Sequence, residues 1–351
     1  MELESKKVFK TLNPNKVWLP VIIGLAIVVI MFYTDDEMDP SMLPLIFEAK
    51  VFAVLLAVII LLARDAGYVY RIRTITGKQL SWGSAIIVII LWEFASAVTP
   101  SVVGGTAVAI FILNKEGVSL GKSMAYVMLT AIMDNLFFIV FAPIILITAS
   151  GGVFEESAQM RSLQYVFYVS YSLIALYTFI MAFGLFMQPR AFKWLLLRVT
   201  QLRWLRRWRE KASEHGDEII NASRQLRGKG AGYWLKIIFS TIFIWSARYL
   251  MLNLLMAAYV DFAVTDHLLI FGRQVVMWIV MLISPTPGSS GTAEYFFKEF
   301  FALSLGDYTI AVNIFWRLLT YYFYLLTGAI CLSWWLPRVF KKKPSDKKPA
   351  V

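Results

Sequence analysis

The chain has 351 residues, of which 59% are hydrophobic and 16% are charged. Soluble domains average about a quarter charged residues, so the composition excludes an ordinary soluble enzyme and predicts a polytopic membrane protein. The net charge of +11 would suggest nucleic acid in a soluble protein. Here residues 190–230 alone carry eleven Lys/Arg against four Asp/Glu, so the charge has a local source and we expect no nucleic-acid partner.

Side chains that hold metals or carry acid–base chemistry are scarce. Cys331 is the single cysteine, which rules out an intramolecular disulfide and a cysteine metal cluster. His215 and His267 lie outside the apolar runs, where we interpret them as solvated loop residues. The sequence therefore predicts no metal site and no cofactor.

Several apolar segments reach or approach the ~20 residues that an α-helix needs to cross a bilayer. The first follows a run of lysines and is not followed by a small-residue cleavage site, so we interpret it as a retained helix rather than a signal peptide. The predicted fold is an all-α polytopic membrane protein. Its spans are approximately 17–34, 42–63, 81–98, 119–149, 163–187, 233–260, 267–284 and 308–336.

The charges between these segments predict the topology. Cytoplasmic loops are enriched in Lys and Arg, and the basic stretches are 1–16, 64–78, 190–230 and 337–351. The loops "TDDEMDP", "GGVFEES" and "VDFAVTD" are acidic. We therefore expect residues 17–336 to form one transmembrane domain of a bacterial inner membrane, with both termini in the cytoplasm.

This topology predicts two hairpins that enter the membrane and return to the same side. The segments that begin at 81 and 119 both leave the cytoplasm, so the chain must turn back at "TPSVVGGTA" (99–107). The last two spans both begin outside, so "SPTPGSSGTA" (284–293) is the turn of a hairpin from the opposite face. A membrane tolerates such broken backbone where protein or water satisfies it.

The two hairpins also resemble each other in sequence. Trp92 precedes Gly105 by the same interval as Trp278 precedes Gly291, and Thr-Ala follows each glycine. With the opposite orientations, this favours an inverted repeat, in which transporters place substrate sites at broken helices. Helix N-termini at such breaks suit phosphate or carboxylate. The glycines expected to bare the backbone for a lipid phosphate are Gly104, Gly105, Gly288 and Gly291.

Ionisable residues inside apolar segments are costly and are therefore functional candidates. Arginines can hold a lipid phosphate by bidentate hydrogen bonds, and carboxylates can balance or couple to them. The candidate phosphate ligands are Arg248, Arg273 and Arg317, and the candidate carboxylates are Glu93, Asp134 and Glu294. The alternative is that these charges only pair helices with one another, and the sequence leaves both interpretations open.

The basic segment 188–211 combines one apolar helical stripe, from Phe192 to Trp208, with arginines that lie mostly off it. A helix of this kind lies in the membrane interface against anionic headgroups. It would either anchor the topology or gather anionic lipid near a transport path. The residues that follow it predict a short polar helix and a Gly-rich turn.

The "TP…GG" break and the second-half pattern P-x-P-G-x-x-G-x-x-E, from Pro285 to Glu294, resemble the lysylphosphatidylglycerol synthase transmembrane family. Such flippase-like domains also form the N-terminal part of the multiple peptide resistance factor. The resemblance covers about residues 15–336, with Ser289 and Ser290 where the family often has glycines. It implies a lipid-translocating domain whose two hairpins meet near the bilayer centre. Only 15 residues follow Leu336, so we expect no aminoacyl-transferase domain and no lysylphosphatidylglycerol synthesis.

We therefore expect a flippase-like transporter, not an enzyme, that moves a phospholipid or polyprenyl-phosphate lipid between leaflets. One alternative is a membrane enzyme for lipid-linked substrates, in which Asp134 with Glu294 forms a paired carboxylate and arginine site. The other is a scaffold whose broken helices are packing devices. The sequence does not specify the lipid, the direction or the energy source, and a homodimer would be the commonest oligomer by symmetry.

Overall fold

A computed structural model describes residues 40–99, 102–148, 152–154, 158–202, 205–282, 284, 286 and 288–341. These residues form α-helices with short 3₁₀ and π segments and no strand, which confirms the all-α prediction. A 3₁₀ segment, Pro40–Glu48, comes first. The α-helices are α1 Val51–Ile75, α2 Trp82–Val98, α3 Val102–Lys115, α4 Leu120–Thr148, α5 Ala158–Ala182, α6 Pro189–Val199, α7 Arg209–Arg227, α8 Ala231–Ala257, α9 Val264–Met281, α10 Thr292–Leu305, α11 Thr309–Arg317 and α12 Phe323–Lys341.

Six stretches of the described chain are long and apolar enough to cross a membrane. They are Val51–Ile75, Leu120–Thr148, Met160–Met187, Ala231–Ala257, Val264–Met281 and Thr292–Val339. They correspond to six of the predicted spans, the last stretch containing α10, α11 and α12. The predicted span 81–98 is the shorter helix α2, and the predicted span 17–34 lies outside the described residues, as do 1–16 and 342–351. The count of eight spans therefore stays a prediction.

The boundaries predicted for the second span and the loop after it are wrong. Helix α1 runs from Val51 to Ile75, so most of the stretch 64–78, predicted to be a basic loop, lies inside the helix. Arg64 and Arg71 are 0% and 1% exposed. Both guanidiniums contact carboxylates within the protein, which is why an apolar helix can bury them.

Two pairs of short helices each flank a break. Helices α2 and α3 have 17 and 14 residues, and α9 and α10 have 18 and 14. At ~1.5 Å per residue, a 14-residue limb is about 21 Å long, less than the ~30 Å hydrocarbon core. The matched lengths favour the predicted re-entrant hairpins and the inverted repeat, which remain predictions.

The first hairpin differs from its prediction at the turn. Helix α3 already begins at Val102, so Gly104 and Gly105 lie in its first turn rather than in the connecting loop. A Cβ at Gly105 would lie 2.3 Å from Ser96 Oγ on α2. This glycine therefore lets the two limbs approach each other closely, and it does not bare a loop backbone.

The helices pack into two apolar clusters. One cluster joins α2, α3, the first half of α4 and α12. The other joins the second half of α4 with α5, α8, α9 and α10. Helices α1 and α8 run alongside each other, and a Cβ at Gly67 would lie 2.9 Å from Ile244 Cγ1. Elements from both clusters line the cavity described below.

The predicted amphipathic helix at 188–211 is two helices instead of one. Helix α6 ends at Val199, and Thr200 Oγ1 donates to the carbonyl oxygen of Leu196 at 2.9 Å. Helix α7 begins at Arg209 and packs on the start of α4, where the backbone N–H of Gly121 donates to Glu218 Oε2 at 2.7 Å. A carboxylate at a helix N-terminus satisfies a free N–H and the helix dipole. Contact with the membrane interface stays a prediction.

Candidate functional site

The breaks of the two hairpins meet beside a cavity of about 180 Å³. Its wall comes from the ends of α2 and α9, the middle of α8, the loop before α10 and the turn after α11. The charged residues of the wall are Glu93, Arg248 and Arg317, and the aromatic ones are Tyr249, Trp278, Trp316 and Tyr321. The cavity therefore combines charged groups with broad apolar surfaces, as ligand sites do.

The loop of the second hairpin touches the end of the first through Gly288. A Cβ on this residue would lie 2.1 Å from Tyr321 Cε2 and 3.0 Å from the carbonyl oxygen of Ala97. Its φ of +56° is also a left-handed conformation that favours glycine. Ser289 has a φ of +54° in the same loop, where a non-glycine residue is strained. The sequence thus builds a tight, left-handed turn where the two hairpins meet.

Arg317 and Glu294 form a buried pair that fixes this loop. Arg317 Nε lies 2.8 Å from Glu294 Oε1, and the two side chains are 7% and 4% exposed. Both Nη groups of Arg317 lie 3.3 Å from the carbonyl oxygen of Gly288. The other carboxylate oxygen of Glu294 accepts the Gly291 N–H at 2.6 Å. Glu294 therefore already occupies the Gly291 N–H at the start of α10, and the substrate-binding role of Gly291 stays a prediction.

Glu93 and Arg248, here called the cavity pair, face each other loosely. Arg248 Nη2 lies 3.6 Å from Glu93 Oε1, beyond hydrogen-bond distance, and their side chains are 22% and 20% exposed. Within the described residues, neither side chain makes a hydrogen bond, and Arg248 Nε is buried without an acceptor. The guanidinium of Arg248 lies 5.2 Å from the ring centre of Trp245. The cavity pair thus retains unused hydrogen-bonding capacity at the cavity wall.

Behind the cavity pair lies a cluster that sequence reasoning missed. Arg64 lies 3.9 Å from Glu93, but it is held mainly by Asp65 at 2.7 Å and by the hydroxyl of Tyr324. That hydroxyl donates to the second oxygen of Asp65 at 2.7 Å. The charge of Arg64 is therefore compensated on the side away from the cavity. The sequence did not indicate that Arg64 lies inside α1, because the apolar run that precedes Arg64 is by itself long enough to span a membrane.

Arg71 and Asp134, here called the core pair, are held by several hydrogen bonds, although Arg71 Nε is buried without an acceptor among the described residues. Arg71 Nη2 donates to Asp134 Oδ2 at 3.0 Å. Arg71 Nη1 donates to Asp134 Oδ1 and, at 3.0 Å, to Thr241 Oγ1. The indole of Trp245 donates to Asp134 at 2.8 Å. The core pair is not part of the cavity wall. Asp134, predicted to balance a substrate-binding arginine, instead ties α4 to α1 and α8.

Arg273 also lies away from the cavity wall. Its guanidinium donates to the carbonyl oxygens of Phe300 at 3.0 Å and of Gly152 at 3.1 Å. It therefore joins α9 to α10 and to the segment after α4. Of the predicted phosphate ligands, the structure brings Arg248, Arg317 and Gly288 together at the cavity. It places Arg273, Gly105 and Gly291 outside the wall, and the predicted role of Gly104 stays a prediction.

Among the residues that the structure describes, no group of three or more His, Cys, Asp or Glu side chains could hold a metal ion. The charged groups at the cavity suit an anion, and Glu93 adds a carboxylate that could accept a proton or a cation. Arginines bind phosphate well because their donors form a rigid fork. The arrangement can thus offer guanidinium donors to a negatively charged group in the cavity.

Comparisons with known proteins agree with this fold. A family model described as "Lysylphosphatidylglycerol synthase TM region" matches residues 19–328. A "UPF0104 membrane protein" of Archaeoglobus fulgidus is 24% identical over 332 residues, which cover 90% of this chain and 95% of the relative. The family match extends through the two hairpins and the cavity, and it confirms the resemblance inferred from the "TP…GG" and P-x-P-G-x-x-G-x-x-E patterns.

Proposed function

Because this chain belongs to the family of the lysylphosphatidylglycerol synthase TM region, we propose that it is a flippase-like transporter. Its substrate is a phospholipid or a polyprenyl-phosphate lipid, which it moves between the leaflets of the membrane. The cavity between the hairpins holds the phosphate of the headgroup. The single observation that carries the proposal is the guanidinium of Arg248 in the cavity wall, which makes no hydrogen bond within the described residues.

The energetic argument rests on the cost of that guanidinium. An ionised group at membrane depth costs several kcal/mol unless it is paired, and Arg248 has an ion-pair partner at 3.6 Å with no hydrogen bond. A phosphate in the cavity would supply charge-assisted hydrogen bonds, each worth about 1.5–3 kcal/mol. Ligand binding therefore relieves a deficit that the free protein carries.

The size of the cavity fits a headgroup rather than a whole lipid. Its volume of about 180 Å³ is below the ~300–1,000 Å³ typical of pockets for drug-sized ligands. The acyl or prenyl chains would remain among the apolar helix surfaces and the surrounding lipid. Trp278 and Trp316 in the wall offer flat surfaces to the glycerol or the first part of the chain.

The two broken helix pairs support transport over a static role. Inverted repeats with breaks at membrane depth give transporters their alternating access, and the two hairpins here touch at Gly288 and Ala97. The enzyme alternative required Asp134 and Glu294 to act as a pair. Each of these carboxylates is bound instead by its own arginine, Arg71 and Arg317.

The test is lipid movement in reconstituted vesicles, measured with headgroup-matched fluorescent lipids and a membrane-impermeant quencher. We expect wild-type protein to accelerate the exchange of an anionic phospholipid, and Arg248→Gln to slow it by on the order of tenfold or more. The matched control is Arg338→Gln. Arg338 also lies over a tryptophan, 5.4 Å from the ring centre of Trp334, but it is exposed.

The proposal fails if wild-type protein moves no lipid faster than empty vesicles do. It also fails if Arg248→Gln and Arg338→Gln are equally active, because the cavity would then have no part in the transport. Mass analysis of the lipids before and after the assay separates transport from catalysis, since an enzyme would change their mass. A scaffold would show neither movement nor modification.

A further inference from the structure

We propose that Glu93 is a proton-binding site that is loaded together with the anionic headgroup, so that one proton accompanies each monoanionic lipid. This inference rests on the proposed transport function and adds the coupling ion to it. It is carried by the geometry of the cavity pair and by the charge balance of the cluster behind it. Within the described part of the chain, Glu93 accepts no hydrogen bond, since its arginine neighbours lie at 3.6 and 3.9 Å.

The charge balance shows that Glu93 is the carboxylate of the cluster that can be neutralised while Arg64 keeps its partners. Arg64 and Arg248 carry two positive charges, and Asp65 and Glu93 carry two negative ones. Arg64 keeps Asp65 and the hydroxyl of Tyr324 when Glu93 is neutral. Protonation of Glu93 therefore leaves only Arg248 without a partner.

A monoanionic phosphodiester replaces the lost carboxylate charge at Arg248. The cluster is neutral before binding, and it is neutral again once one proton and one phosphodiester have been added. Either ligand alone would leave a net charge at membrane depth, which costs several kcal/mol. The proton and the lipid must therefore favour each other's binding, and by linkage the coupling is the same in both directions.

The other pairs near the cavity do not offer the same site. Glu294 has its partner at 2.8 Å and accepts the Gly291 N–H at 2.6 Å. Asp65 accepts hydrogen bonds from Arg64 and from Tyr324. Both carboxylates are therefore already engaged by donors within the protein. The charged and titratable groups near Glu93 are Arg64, Asp65 and Tyr68 on α1, Arg248 and Tyr249 on α8, Arg317 and Tyr321 from α11 and the turn after it, and Tyr324 on α12.

The experiment measures proton uptake on lipid binding by purified protein in detergent. Short-chain phosphatidylglycerol is the anionic probe, and phosphatidylcholine with the same chains is the neutral control. Calorimetry in buffers of different ionisation enthalpy gives the number of protons taken up. We expect about one proton with phosphatidylglycerol at a pH where Glu93 is ionised, and an affinity that rises up to about tenfold per unit fall in pH.

The variant Glu93→Gln mimics the protonated side chain. We expect it to bind phosphatidylglycerol with high, pH-independent affinity and without proton uptake. Asp261→Asn is the matched control, since this carboxylate is 95% exposed in its pair with Lys50, and it should behave as wild type. The inference would be overturned if proton uptake persisted in Glu93→Gln, or if it were lost in Asp65→Asn instead.

The failures of the two proposals are distinguishable. Binding of phosphatidylglycerol without proton uptake would contradict the proton-binding role of Glu93 and leave the proposed function intact. If neither probe binds and no lipid moves in vesicles, the proposed function itself is wrong. Should Glu93→Gln not fold, the proton count of the wild-type protein still decides, because a value near zero contradicts the inference.

Discussion

The cavity pair and the core pair each combine one arginine with one carboxylate at membrane depth, but they are held in different ways. The carboxylates are equally exposed, 20% for Glu93 and 20% for Asp134. The arginines differ, because Arg248 is 22% exposed and Arg71 is 1% exposed. Arg71 donates to two partners, whereas Arg248 makes no hydrogen bond within the described residues.

This difference separates a structural charge from one that is available to a ligand. A buried pair in which both carboxylate oxygens accept hydrogen bonds, as in the core pair, resists any exchange of partner, because a ligand would have to break those bonds in a low dielectric. A pair held only by Coulomb attraction across 3.6 Å can open at small cost. The following substitutions test that distinction, in order of their expected effect on the stability of the fold.

The largest effect is expected where the core pair is broken. Asp134→Asn leaves the charge of Arg71 buried and uncompensated, so the free energy of unfolding should fall by about 3–5 kcal/mol. Denaturation of the purified protein in detergent measures this loss. Replacing both partners by apolar residues, as in Arg71→Met with Asp134→Leu, should recover most of it. A single variant as stable as wild type would show that the core pair is not structural.

A second substitution loosens the pair that holds the second hairpin. Gly288→Ala places a Cβ at 2.1 Å from Tyr321 and at a φ of +56°, and it should cost about 1–3 kcal/mol. The carbonyl oxygen that anchors Arg317 would move with it. Gly83→Ala is the control, since its Cβ meets nothing within 4 Å. Equal melting temperatures for the two variants would contradict the close contact between the hairpins.

Breaking the cavity pair should change the stability of the fold little and should weaken the binding of anionic lipid strongly. Arg248→Gln removes no hydrogen bond within the described residues, so we expect the stability to change by less than about 1 kcal/mol. The retention of anionic lipid in native mass spectrometry should nevertheless fall by on the order of tenfold. A variant that unfolds like Asp134→Asn would place Arg248 in the structural class.

The smallest effect is expected for an ion pair that is short but exposed. Lys50 Nζ lies 2.6 Å from Asp261 Oδ1, with side chains 53% and 95% exposed. Water screens such a pair, so Lys50→Ala should change the free energy of unfolding by less than about 1 kcal/mol. A larger loss would mean that distance alone, rather than burial and hydrogen bonding, ranks the pairs of this protein.

Much of the architecture is predictable from the sequence because the membrane constrains it strongly. The apolar runs predicted α4, α5, α8 and α9 to within a few residues, since only a helix of about this length satisfies its backbone in lipid. The breaks near 99 and 284 were predictable because proline and glycine interrupt those runs. Arg248, Arg317, Gly288 and Glu93 were identified as candidates because charge and bare backbone are rare in such segments.

What the sequence could not decide is which charges meet. Arg64 and Arg71 were predicted to lie in a loop because they follow an apolar run already long enough to span the membrane. Asp65, the neighbour of Arg64 in sequence, pairs with it, and the packing of α1 against α4, α8 and α12 supplies the other partners of the two arginines. Arg248 and Arg273 have the same chemistry, yet one lines a cavity and the other binds backbone carbonyls. Local composition fixes which segments enter the membrane. Tertiary packing fixes the distance from each guanidinium to its acceptors, and that distance determines which charges can bind a ligand.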